Sequence, residues 1–448
     1  MEKNKQLQGK KVGFISLGCD KNRVDTEKAI RRFTDAGAIL TNDPETAQIL
    51  MVNTCAFLES ARKEAVETVL ELSALKSGEL EKLVVTGCLP ELAPTELYEG
   101  LTEADVFAGF NDYDELVEAV ARSYQTGREN IVGKGKGTDI QTRVLTTPLH
   151  YAYLKIADGC DNHCTYCLIP KIRGRYISTP MENLITEAEN LGDVSELLLV
   201  AQDVTRYGED LYGKPSLVPL LKKLTALPNV GAVRLLYCYP ERIDGELIEE
   251  IASNPKIIKY LDIPLQHADD AVLKRMNRKG TYQSYLDLVA TLRANVPNIA
   301  IRSTFIAGFP GETEENVQTL ERFLRTAKLD NVGFFAYSKE EGTAAAKLPN
   351  QIPAREKKAR VKRLATAQSE NAKARAEKLL GKTVSVLCDG IDYDKGCFVG
   401  RSDFQAPDID GVIYFTAEEG VQGERYLVTL NRYKNYDFYG TAIAQTRE

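Results

Sequence analysis

The sequence predicts an α/β protein in three parts: an N-terminal parallel α/β domain, a central partial barrel of six β/α units, and a small C-terminal β-barrel. Apolar runs alternate with helical patterns over residues 1–135 and again, more regularly, within residues 146–378, which is typical of parallel sheets covered by helices. Short β-rich runs broken by Gly, Asp and Pro fill residues 379–448 and favour a small barrel. These three ranges are the predicted domains.

Composition limits the class of protein. The chain has 448 residues, enough for several domains of ordinary size. Nine cysteines are too few for a secreted disulfide scaffold, and the polar start MEKNKQLQGKK lacks the apolar segment of an export signal. No apolar run is long enough to span a bilayer. We therefore expect a cytoplasmic protein without membrane contact, and the net charge of −7 argues against a protein that coats nucleic acid.

Three predicted strands of the N-terminal domain end on a cysteine. The runs KVGFISLGC, AQILMVNTC and EKLVVTGC close on Cys19, Cys55 and Cys88. Because the carboxyl ends of parallel strands lie on one edge of a sheet, these cysteines can meet there. The repeated placement favours a shared metal site. Three buried thiols in unrelated loops are the alternative.

The central region predicts six strands separated by helices. The strand candidates are YAYLKIA, ELLLVAQ, AVRLLYCY, YLDIPLQ, IAIRSTFIAGF and NVGFFAYS. Units of this kind, joined by right-handed crossovers, curl into a barrel that six strands leave incomplete. Chemistry in such barrels takes place at the carboxyl ends of the strands. The stretch DGCDNHCTYCLIP follows the first strand directly, where we expect a ligand-binding loop.

Cys160, Cys164 and Cys167 form a CxxxCxxC pattern within that stretch. Three thiolates cannot complete a tetrahedral zinc site, so zinc needs a fourth ligand, for which His163 is the nearest candidate. The alternative is a [4Fe-4S] cluster with three irons held by the protein and one left open for a substrate or cofactor. An electron carrier favours four ligands, since electron transfer gains nothing from an open iron.

A long helix is predicted to precede the C-terminal barrel, and the charge of this helix differs from that of the barrel. Residues 354–378 contain nine basic and three acidic residues, whereas residues 380–448 contain seven basic and eleven acidic residues. Asp403, Asp408 and Asp410 lie close together in the second range. A domain that neutralises phosphates should be basic. The acidic barrel is better matched to a basic protein.

The cysteine pattern, with Tyr166 before its last cysteine, resembles the signature of the radical S-adenosylmethionine (SAM) enzymes. The resemblance implies that the open iron of the [4Fe-4S] cluster binds SAM, and that one electron cleaves SAM to begin hydrogen abstraction. SLGCDKNRVDTE, VNTC and TGC resemble the N-terminal domain of the methylthiotransferases within this group. This implies a second [4Fe-4S] cluster on Cys19, Cys55 and Cys88, whose open iron holds the sulfur to be inserted, and a TRAM-like C-terminal barrel that binds substrate.

Further motifs resemble one branch, the ribosomal-protein aspartate methylthiotransferases (RimO type). They are AQDVTRYG, YLDIPLQHADDAVLKRMNRKG, TFIAGFPGETEE, YSKEEGT and QAPDIDG. The resemblance implies addition of a methylthio group to the β-carbon of an aspartate in ribosomal small-subunit protein twelve. The alternative is the sister branch (MiaB type), which modifies an adenosine of transfer RNA. The acidic charge of residues 380–448 favours the basic ribosomal protein.

The same resemblance implies partners beyond the substrate. An electron donor such as flavodoxin or ferredoxin must reduce the clusters. The basic helix of residues 354–378 is interpreted as a solvated linker, with a contact to ribosomal RNA as the alternative. No heptad pattern or large apolar face stands out, so we expect a monomer. Two further histidines and three further cysteines are predicted to be structural: His150, His267, Cys238, Cys388 and Cys397.

Six residues are candidates for SAM binding beyond the cysteines: Tyr166, Gln202, Asp203, Gln266, Arg302 and Gly308. The AQD sequence ends a strand where the family has a polar group near the SAM amino group, although it is also an ordinary strand exit. Gln266 and Arg302 are candidates for the ribose and the carboxylate, but an ion pair within the barrel explains the arginine equally well. Gly308 begins GFPGE, which either lets backbone approach the adenine or forms a tight turn.

Overall fold

The structure is a computed structural model that describes residues 6–110, 113–133 and 141–446. The chain forms two compact units. The first comprises Met1–Thr146, Asp158–Asn162 and Cys167–Leu191, and the second comprises Thr147–Ala157, His163–Tyr166 and Gly192–Glu448. No helix within the described ranges is long and apolar enough to cross a membrane.

A six-stranded parallel sheet forms the N-terminal part of the first unit. Its strands are β1 (Lys11–Ser16), β2 (Ile39–Leu40), β3 (Ile49–Thr54), β4 (Lys82–Gly87), β5 (Val106–Phe107) and β6 (Glu129–Asn130). The helices are α1 (Asp20–Asp35), α2 (Glu59–Ser73), α3 (Cys88–Leu92), α4 (Pro94–Gly100) and α5 (Tyr113–Thr126). The strand order is β2-β1-β3-β4-β5-β6, with parallel pairing throughout.

Burial follows from the apolar runs that predict these strands. β3 and β4 are buried along their whole length and lie in the middle of the sheet. One apolar core includes side chains of α1 and α5, and another includes side chains of α2. Helices therefore cover the sheet on two sides, as expected for buried parallel strands. The predicted parallel α/β architecture is confirmed.

The chain continues through β7 (Tyr151–Lys155), β8 (Ala157–Asp158), α6 (Ile169–Ile172), β9 (Ile177–Ser178) and α7 (Met181–Glu189). The later central strands are β10 (Glu196–Val200), β11 (Val233–Leu235), β12 (Ile257–Asp262), β13 (Ala300–Ala307) and β14 (Asn331–Ala336). The helices among them are α8 (Glu209–Tyr212), α9 (Leu217–Ala226), α10 (Gly245–Ser253), α11 (Asp270–Arg275), α12 (Tyr282–Asn295) and α13 (Glu314–Ala327). Short 3-10 helices lie at Pro44–Thr46, Ala74–Ser77, Val204–Arg206, Pro240–Arg242 and Ala345–Lys347.

The second unit contains the six central strands as one parallel sheet in the order β14-β13-β12-β11-β10-β7. Each strand falls within or overlaps one of the six predicted runs, so the predicted series of β/α units is confirmed. The run YLDIPLQ differs, because β12 begins before it and ends at Asp262. Pro264 has no N–H group to donate to a neighbouring strand, which explains why its part of the run lies outside β12.

A long helix and a closed barrel complete the second unit. The helix is α14 (Ala354–Leu379), and the strands are β15 (Thr383–Asp392), β16 (Cys397–Arg401), β17 (Ile413–Thr416), β18 (Arg425–Lys434) and β19 (Asp437–Thr446). The barrel closes in the order β15-β16-β17-β19-β18 around a core of apolar side chains. This confirms the predicted small β-barrel, while β16 is a strand that the sequence patterns do not predict.

The C-terminal barrel packs against residues at or near the amino ends of the central strands. Glu196, the first residue of β10, forms ion pairs with Arg234 of β11 and Arg401 of β16, and all three side chains are buried. Asn331, the first residue of β14, donates a hydrogen bond to the Phe404 carbonyl oxygen at 2.9 Å. This end of the central sheet is therefore fixed by charged and polar contacts within the chain.

One acidic residue assigned to a partner-facing surface lies in this contact instead. The carboxylate of Asp410 is buried, accepts a hydrogen bond from Tyr260 at 2.7 Å and lies 3.4 Å from Arg302. The interpretation of the acidic cluster as partner-facing is wrong for Asp410, because Tyr260 and Arg302 of its own chain already contact the buried carboxylate. Asp403 and Asp408 remain exposed.

Candidate functional site

The three N-terminal cysteines lie at the carboxyl edge of the first sheet. Cys55 directly follows β3 and Cys88 directly follows β4, after strand ends that pair in register. Cys19 precedes α1 and follows β1 by a short turn. A Cβ on Gly18 would lie 2.9 Å from the Cys55 Cβ, and Gly18 has a positive φ of 109°. The turn therefore needs glycine to bring its cysteine close to Cys55.

Asn22 connects two of these cysteines. The Sγ atoms of Cys19 and Cys88 each lie 3.7 Å from the Asn22 Oδ1. The Asn22 Nδ2 donates to the Thr54 carbonyl oxygen at 2.9 Å, beside Cys55. Asn22 is fully buried in α1. The structure thus brings the three sequence-predicted cysteines together around one carboxamide.

Burial at this site favours the protonated form of Cys55 and Cys88 in the protein alone. Burial raises the pKa of Cys88 to about 12, against a lowering effect of the Arg173 guanidinium. Burial also raises the pKa of Cys55, and the neighbouring Cys19 adds to the effect. Because a metal binds the thiolate, metal binding here must displace protons.

Arg173 supplies a buried positive charge beside this trio within the first unit. Its Nη2 donates to the Asn22 Oδ1 at 2.6 Å and to Asp25 at 3.0 Å. Its Nη1 donates to Asp158 at 2.8 Å, and its guanidinium lies 4.0 Å from the centre of the Phe110 ring. The charge is therefore held rigidly by two carboxylates and one carboxamide.

Two cysteines of the CxxxCxxC motif lie in the first unit. The Asn162 N–H donates to the Cys160 Sγ at 3.5 Å, and the Ile169 N–H donates to the Cys167 Sγ at 3.4 Å. A Cβ on Gly159 would lie 2.0 Å from a backbone oxygen, so no larger residue fits before the first cysteine. Backbone donors aimed at sulfur favour its thiolate form, which is the form that binds iron.

Cys164 lies in the second unit, where the segment after α11 surrounds it. The Arg278 Nη1 lies 3.9 Å from the Cys164 Sγ. The Thr165 N–H donates to the Met276 carbonyl oxygen at 3.1 Å, and the Asn277 Nδ2 donates to the His163 carbonyl oxygen at 3.0 Å. The sequence MNR at residues 276–278 therefore positions this cysteine from both sides.

A single metal ion requires ligand side chains that converge on one point, whereas an iron-sulfur cluster does not. No three His, Cys, Asp or Glu side chains in the described part of the chain approach closely enough to hold a single ion. A [4Fe-4S] cluster binds each cysteine to a different iron, so its ligands need not converge on one point. His163 is exposed and has a positive φ of 49°.

Three SAM candidates follow strands of the second unit. Asp203 follows β10, is fully buried, and accepts a hydrogen bond from the Thr205 hydroxyl at 2.7 Å. Gln202 is half-buried beside it. Gln266 follows β12 with a positive φ of 72°, and its N–H donates to the Thr304 carbonyl oxygen at 2.8 Å. A bulky residue in this conformation is rare and is typical of functional loops.

Gly308 and Tyr166 belong to loops that also face this end of the sheet. Gly308 follows β13 with a φ of 77°, and a Cβ there would lie 2.4 Å from the Lys357 Cγ. Its N–H donates to the buried Glu312 at 2.9 Å, so a tight turn is formed. Tyr166 packs against an apolar cluster that includes Phe309. The roles of both residues toward SAM stay predictions.

Arg302 lies in an ion-pair network, the alternative that the sequence left open. Its Nη1 donates to Asp262 at 2.9 Å, and its Nε lies 3.4 Å from Asp410. It is the third residue of β13 and therefore lies toward the amino end, away from the loop containing Gly308. Its contact with SAM stays a prediction that this placement does not support.

The two histidines of interest make structural contacts. The His150 Nε2 lies 2.8 Å from Asp389 of the C-terminal barrel. The His267 Nε2 lies 3.3 Å from Glu312, and both groups are buried. Burial acts to raise the pKa of Glu312, but hydrogen bonds from His267, the Gly308 N–H and Arg360 hold it below its ordinary value. These contacts agree with the structural roles that were predicted.

Three residues of the site are absent from the sequence-based candidates: Asn22, Arg173 and Arg278. The sequence could have identified Asn22, because it lies three residues after Cys19 at the start of α1, and residues with this spacing share a helix face. Arg278 lies 114 residues from Cys164 in the chain, and no spacing rule connects the two. Arg173 lies 151 residues from Asn22. Only the folded chain shows these contacts.

Comparison with protein families assigns three regions. Residues 11–109 match the uncharacterized protein family UPF0004, residues 154–324 match the radical SAM superfamily, and residues 380–443 match the TRAM domain. The radical SAM match supports a [4Fe-4S] cluster and SAM as cofactors.

Curated relatives cover almost the whole chain. "Ribosomal protein uS12 methylthiotransferase RimO" of Lachnoclostridium phytofermentans is 45% identical over 438 residues, covering 96% of this chain and 100% of the relative. The protein of the same name from Clostridium tetani is 44% identical and covers 97% and 99%. The one from Alkaliphilus oremlandii is 41% identical and covers 96% and 98%.

Solved structures share the fold at low identity. The radical SAM methyltransferase TsrM from Kitasatospora setae matches with a TM-score of 0.53 and 15% identity, covering 73% of this chain and 75% of its own. The cobalamin-dependent SAM radical enzyme OxsB matches with a TM-score of 0.53 and 10% identity, covering 82% and 56%. The predicted radical SAM fold is confirmed. By the identity and coverage of its relatives, the chain belongs to the RimO family of ribosomal protein uS12 methylthiotransferases, which are transferases with a radical SAM domain.

Proposed function

We propose that this protein adds a methylthio group to the β-carbon of an aspartate in ribosomal protein uS12, using SAM and two [4Fe-4S] clusters. The main support is the 41–45% identity to proteins named ribosomal protein uS12 methylthiotransferase RimO over nearly the full chain. Cys160, Cys164 and Cys167 would hold the cluster that binds SAM. The second cluster would be held by Cys19, Cys55 and Cys88.

The residues present fit these groups. Backbone N–H groups point at two sulfurs of the first trio, and a buried arginine lies beside the third. A buried guanidinium, that of Arg173, lies beside the second trio. Such donors orient cysteine ligands and tune a cluster. When bound, the cluster at the first trio supplies the electron that breaks a sulfur–carbon bond of SAM and so begins hydrogen abstraction.

The protein's own residues bind and orient the cofactors. Gln202, Asp203, Gln266 and Gly308 are proposed to contact SAM, because each follows a central strand at the end where ligands bind in such sheets. At the second trio, the Arg173 charge offsets the thiolate charge that loading creates next to buried apolar groups.

The substrate is proposed to be the basic ribosomal protein and not transfer RNA. The net charge of −4 on residues 380–448 supports this choice, although Asp410 belongs to an internal contact. A TRAM domain also suggests an RNA contact, which the ribosome can supply. Basic residues of α14 are partly neutralised, since Arg360 pairs with Glu312 and Arg363 pairs with Glu321. A solvated linker remains the preferred interpretation of that helix.

The deciding experiment is mass spectrometry of uS12 and of transfer RNA from cells that lack this gene. We expect the mass of uS12 to fall by one methylthio group, and complementation by the gene to restore it. Loss of a modification on transfer RNA alone would contradict the proposal and favour the MiaB-type reaction. Anaerobic reconstitution should give about eight irons per chain, because two trios each hold a four-iron cluster.

Three further proposals complete this function. Reduction of the clusters requires an electron donor, for which flavodoxin or ferredoxin is expected. The protein is expected to act as a monomer in the cytoplasm. Purified chain with each donor, SAM and uS12 should form 5'-deoxyadenosine, and absence of product with both donors would exclude them as reductants.

A further inference from the structure

Arg278 is a buried cation with an unusual set of neighbours. Its residue is 7% exposed. The Nη2 donates to the Pro264 carbonyl oxygen at 2.7 Å, the Nη1 lies 3.9 Å from the Cys164 Sγ, and the guanidinium lies 4.0 Å from the centre of the Tyr239 ring. The Nε is buried without a hydrogen-bond partner. The guanidinium is thus fixed in position while part of its donor capacity is unused.

Other buried arginines in the described ranges have carboxylate partners, and Arg278 does not. Five arginines are buried as whole residues, namely Arg234, Arg278, Arg302, Arg360 and Arg401, and two more, Arg143 and Arg173, have buried side chains that pair with carboxylates. Glu196 pairs with two of them, Asp262 and Asp410 pair with Arg302, and Glu312 pairs with Arg360. Burying an unpaired charge is costly. The missing counter-charge of Arg278 therefore indicates a bound anionic group next to Cys164.

We infer that Arg278 is a positioning residue for the proposed cluster at Cys160, Cys164 and Cys167, and that its charge raises the reduction potential of this cluster. The inference rests on the proposed function, since it requires that cluster. Thiolate ligands make the bound cluster anionic, and reduction adds one more negative charge. A fixed cation in a buried setting stabilises the reduced state more than the oxidised state.

The surrounding contacts explain how the charge keeps its place. Asn277, directly before Arg278, has a positive φ of 58° and donates to the His163 carbonyl oxygen at 3.0 Å. The Thr165 hydroxyl donates to the Arg275 carbonyl oxygen at 2.8 Å. The chain segments before Arg278 and around Cys164 are therefore tied to each other, and the guanidinium cannot move away from the sulfur without breaking these bonds.

The test uses full-length protein in which Cys19, Cys55 and Cys88 are replaced by alanine, so that one cluster remains. R278M and R278K are compared with this parent, and R322M serves as control because Arg322 is exposed on α13. The electron paramagnetic resonance signal of the reduced cluster is recorded against applied potential. At the midpoint potential of the parent, R278M should show a ratio of reduced to oxidised cluster that is at least about tenfold lower. This ratio corresponds to a decrease in midpoint potential of about 59 mV for one electron. R278K should show a smaller decrease, and R322M none.

The outcomes separate this inference from the proposed function. A parent that binds no four-iron cluster contradicts the proposed function before Arg278 is tested. An R278M protein with four irons and the parental midpoint overturns the inference. If R278M fails to load iron, R278K decides: loading with a reduced-to-oxidised ratio within tenfold of the parent supports the role of charge, whereas a larger change or a failure to load overturns it.

Discussion

The two ends of the central sheet use buried arginines in different ways. At the amino end, Arg234 and Arg401 both pair with Glu196, and the contact joins the sheet to the C-terminal barrel. At the carboxyl end, Arg278 faces the sulfur of Cys164, with no carboxylate within ion-pair distance among the described residues. The shared Glu196 gives the two amino-end arginines a structural role, whereas the uncompensated charge of Arg278 is the basis for the bound group inferred beside Cys164.

Left-handed backbone conformations occur at both ends of the central sheet, since Asn298 and Lys328 precede β13 and β14 at the amino end. Four non-glycine residues with positive φ lie in loops at the carboxyl end: His163, Tyr237, Gln266 and Asn277. A left-handed backbone conformation of a non-glycine residue costs free energy, which the surrounding contacts must offset. Such conformations concentrate at functional sites. Asn277 and Gln266 make hydrogen bonds that hold them in place. At the carboxyl end, these bonds hold Gln266 and Asn277 in conformations that such residues rarely adopt.

The largest expected effect lies at the carboxyl end. Replacing Cys160, Cys164 and Cys167 together by alanine should abolish SAM cleavage, because no ligand remains for the cluster that supplies the electron. The measurement is 5'-deoxyadenosine formed with dithionite, together with iron content, which should fall from about eight to about four per chain. C397A is the matched control, since that half-exposed cysteine belongs to neither trio. Persistent 5'-deoxyadenosine in the triple variant would refute the radical SAM role of these cysteines.

At the amino end, E196Q should lower stability and leave the chemistry intact. The substitution leaves two buried guanidinium groups without their shared carboxylate, which costs about 3–5 kcal/mol when a buried pair is broken. Urea unfolding followed by circular dichroism measures the loss, with E315Q as a matched control on the exposed surface of α13. SAM cleavage by E196Q at low temperature should equal that of the parent. Lost cleavage in a folded, iron-loaded E196Q protein would break the division between the two ends.

The ionisation of Glu196 should make the stability of the protein depend on pH. Burial acts to raise the pKa of Glu196, but Arg234 and Arg401 outweigh it and lower the pKa from 4.5 to about 2. A lowered folded-state pKa means that the stabilisation is complete above pH 4.5 and is lost as the pH falls toward 2. The unfolding temperature should therefore fall more steeply between pH 4.5 and 3 in the parent than in E196Q. Equal slopes would show that Glu196 is not ionised in the folded protein.

Sequence patterns were sufficient where a physical rule connects neighbouring positions. The strand-then-cysteine repeat predicted that Cys55 and Cys88 follow strands of one parallel sheet, and the parallel pairing of β3 with β4 confirms that placement. Alternating apolar runs predicted the six central strands. The patterns could not predict that Arg302 pairs with Asp410, or that Arg278 lies beside Cys164. Such contacts join segments more than a hundred residues apart, so they depend on how β/α units stack and not on local periodicity.

A substitution at the amino end that removes a neutral hydrogen bond should cost less stability than one that breaks the buried ion pairs. Asn331 donates one hydrogen bond to the Phe404 carbonyl oxygen at 2.9 Å. N331A removes this donor without leaving a buried charge, so the free energy of unfolding should fall by only about 1 kcal/mol, the usual net worth of one neutral hydrogen bond. Urea unfolding measures the change, and N295A is the control, because the exposed Asn295 side chain bonds to Thr291 of its own helix. A loss as large as that of E196Q would mean that the amino end depends on overall packing and not on the buried ion pairs.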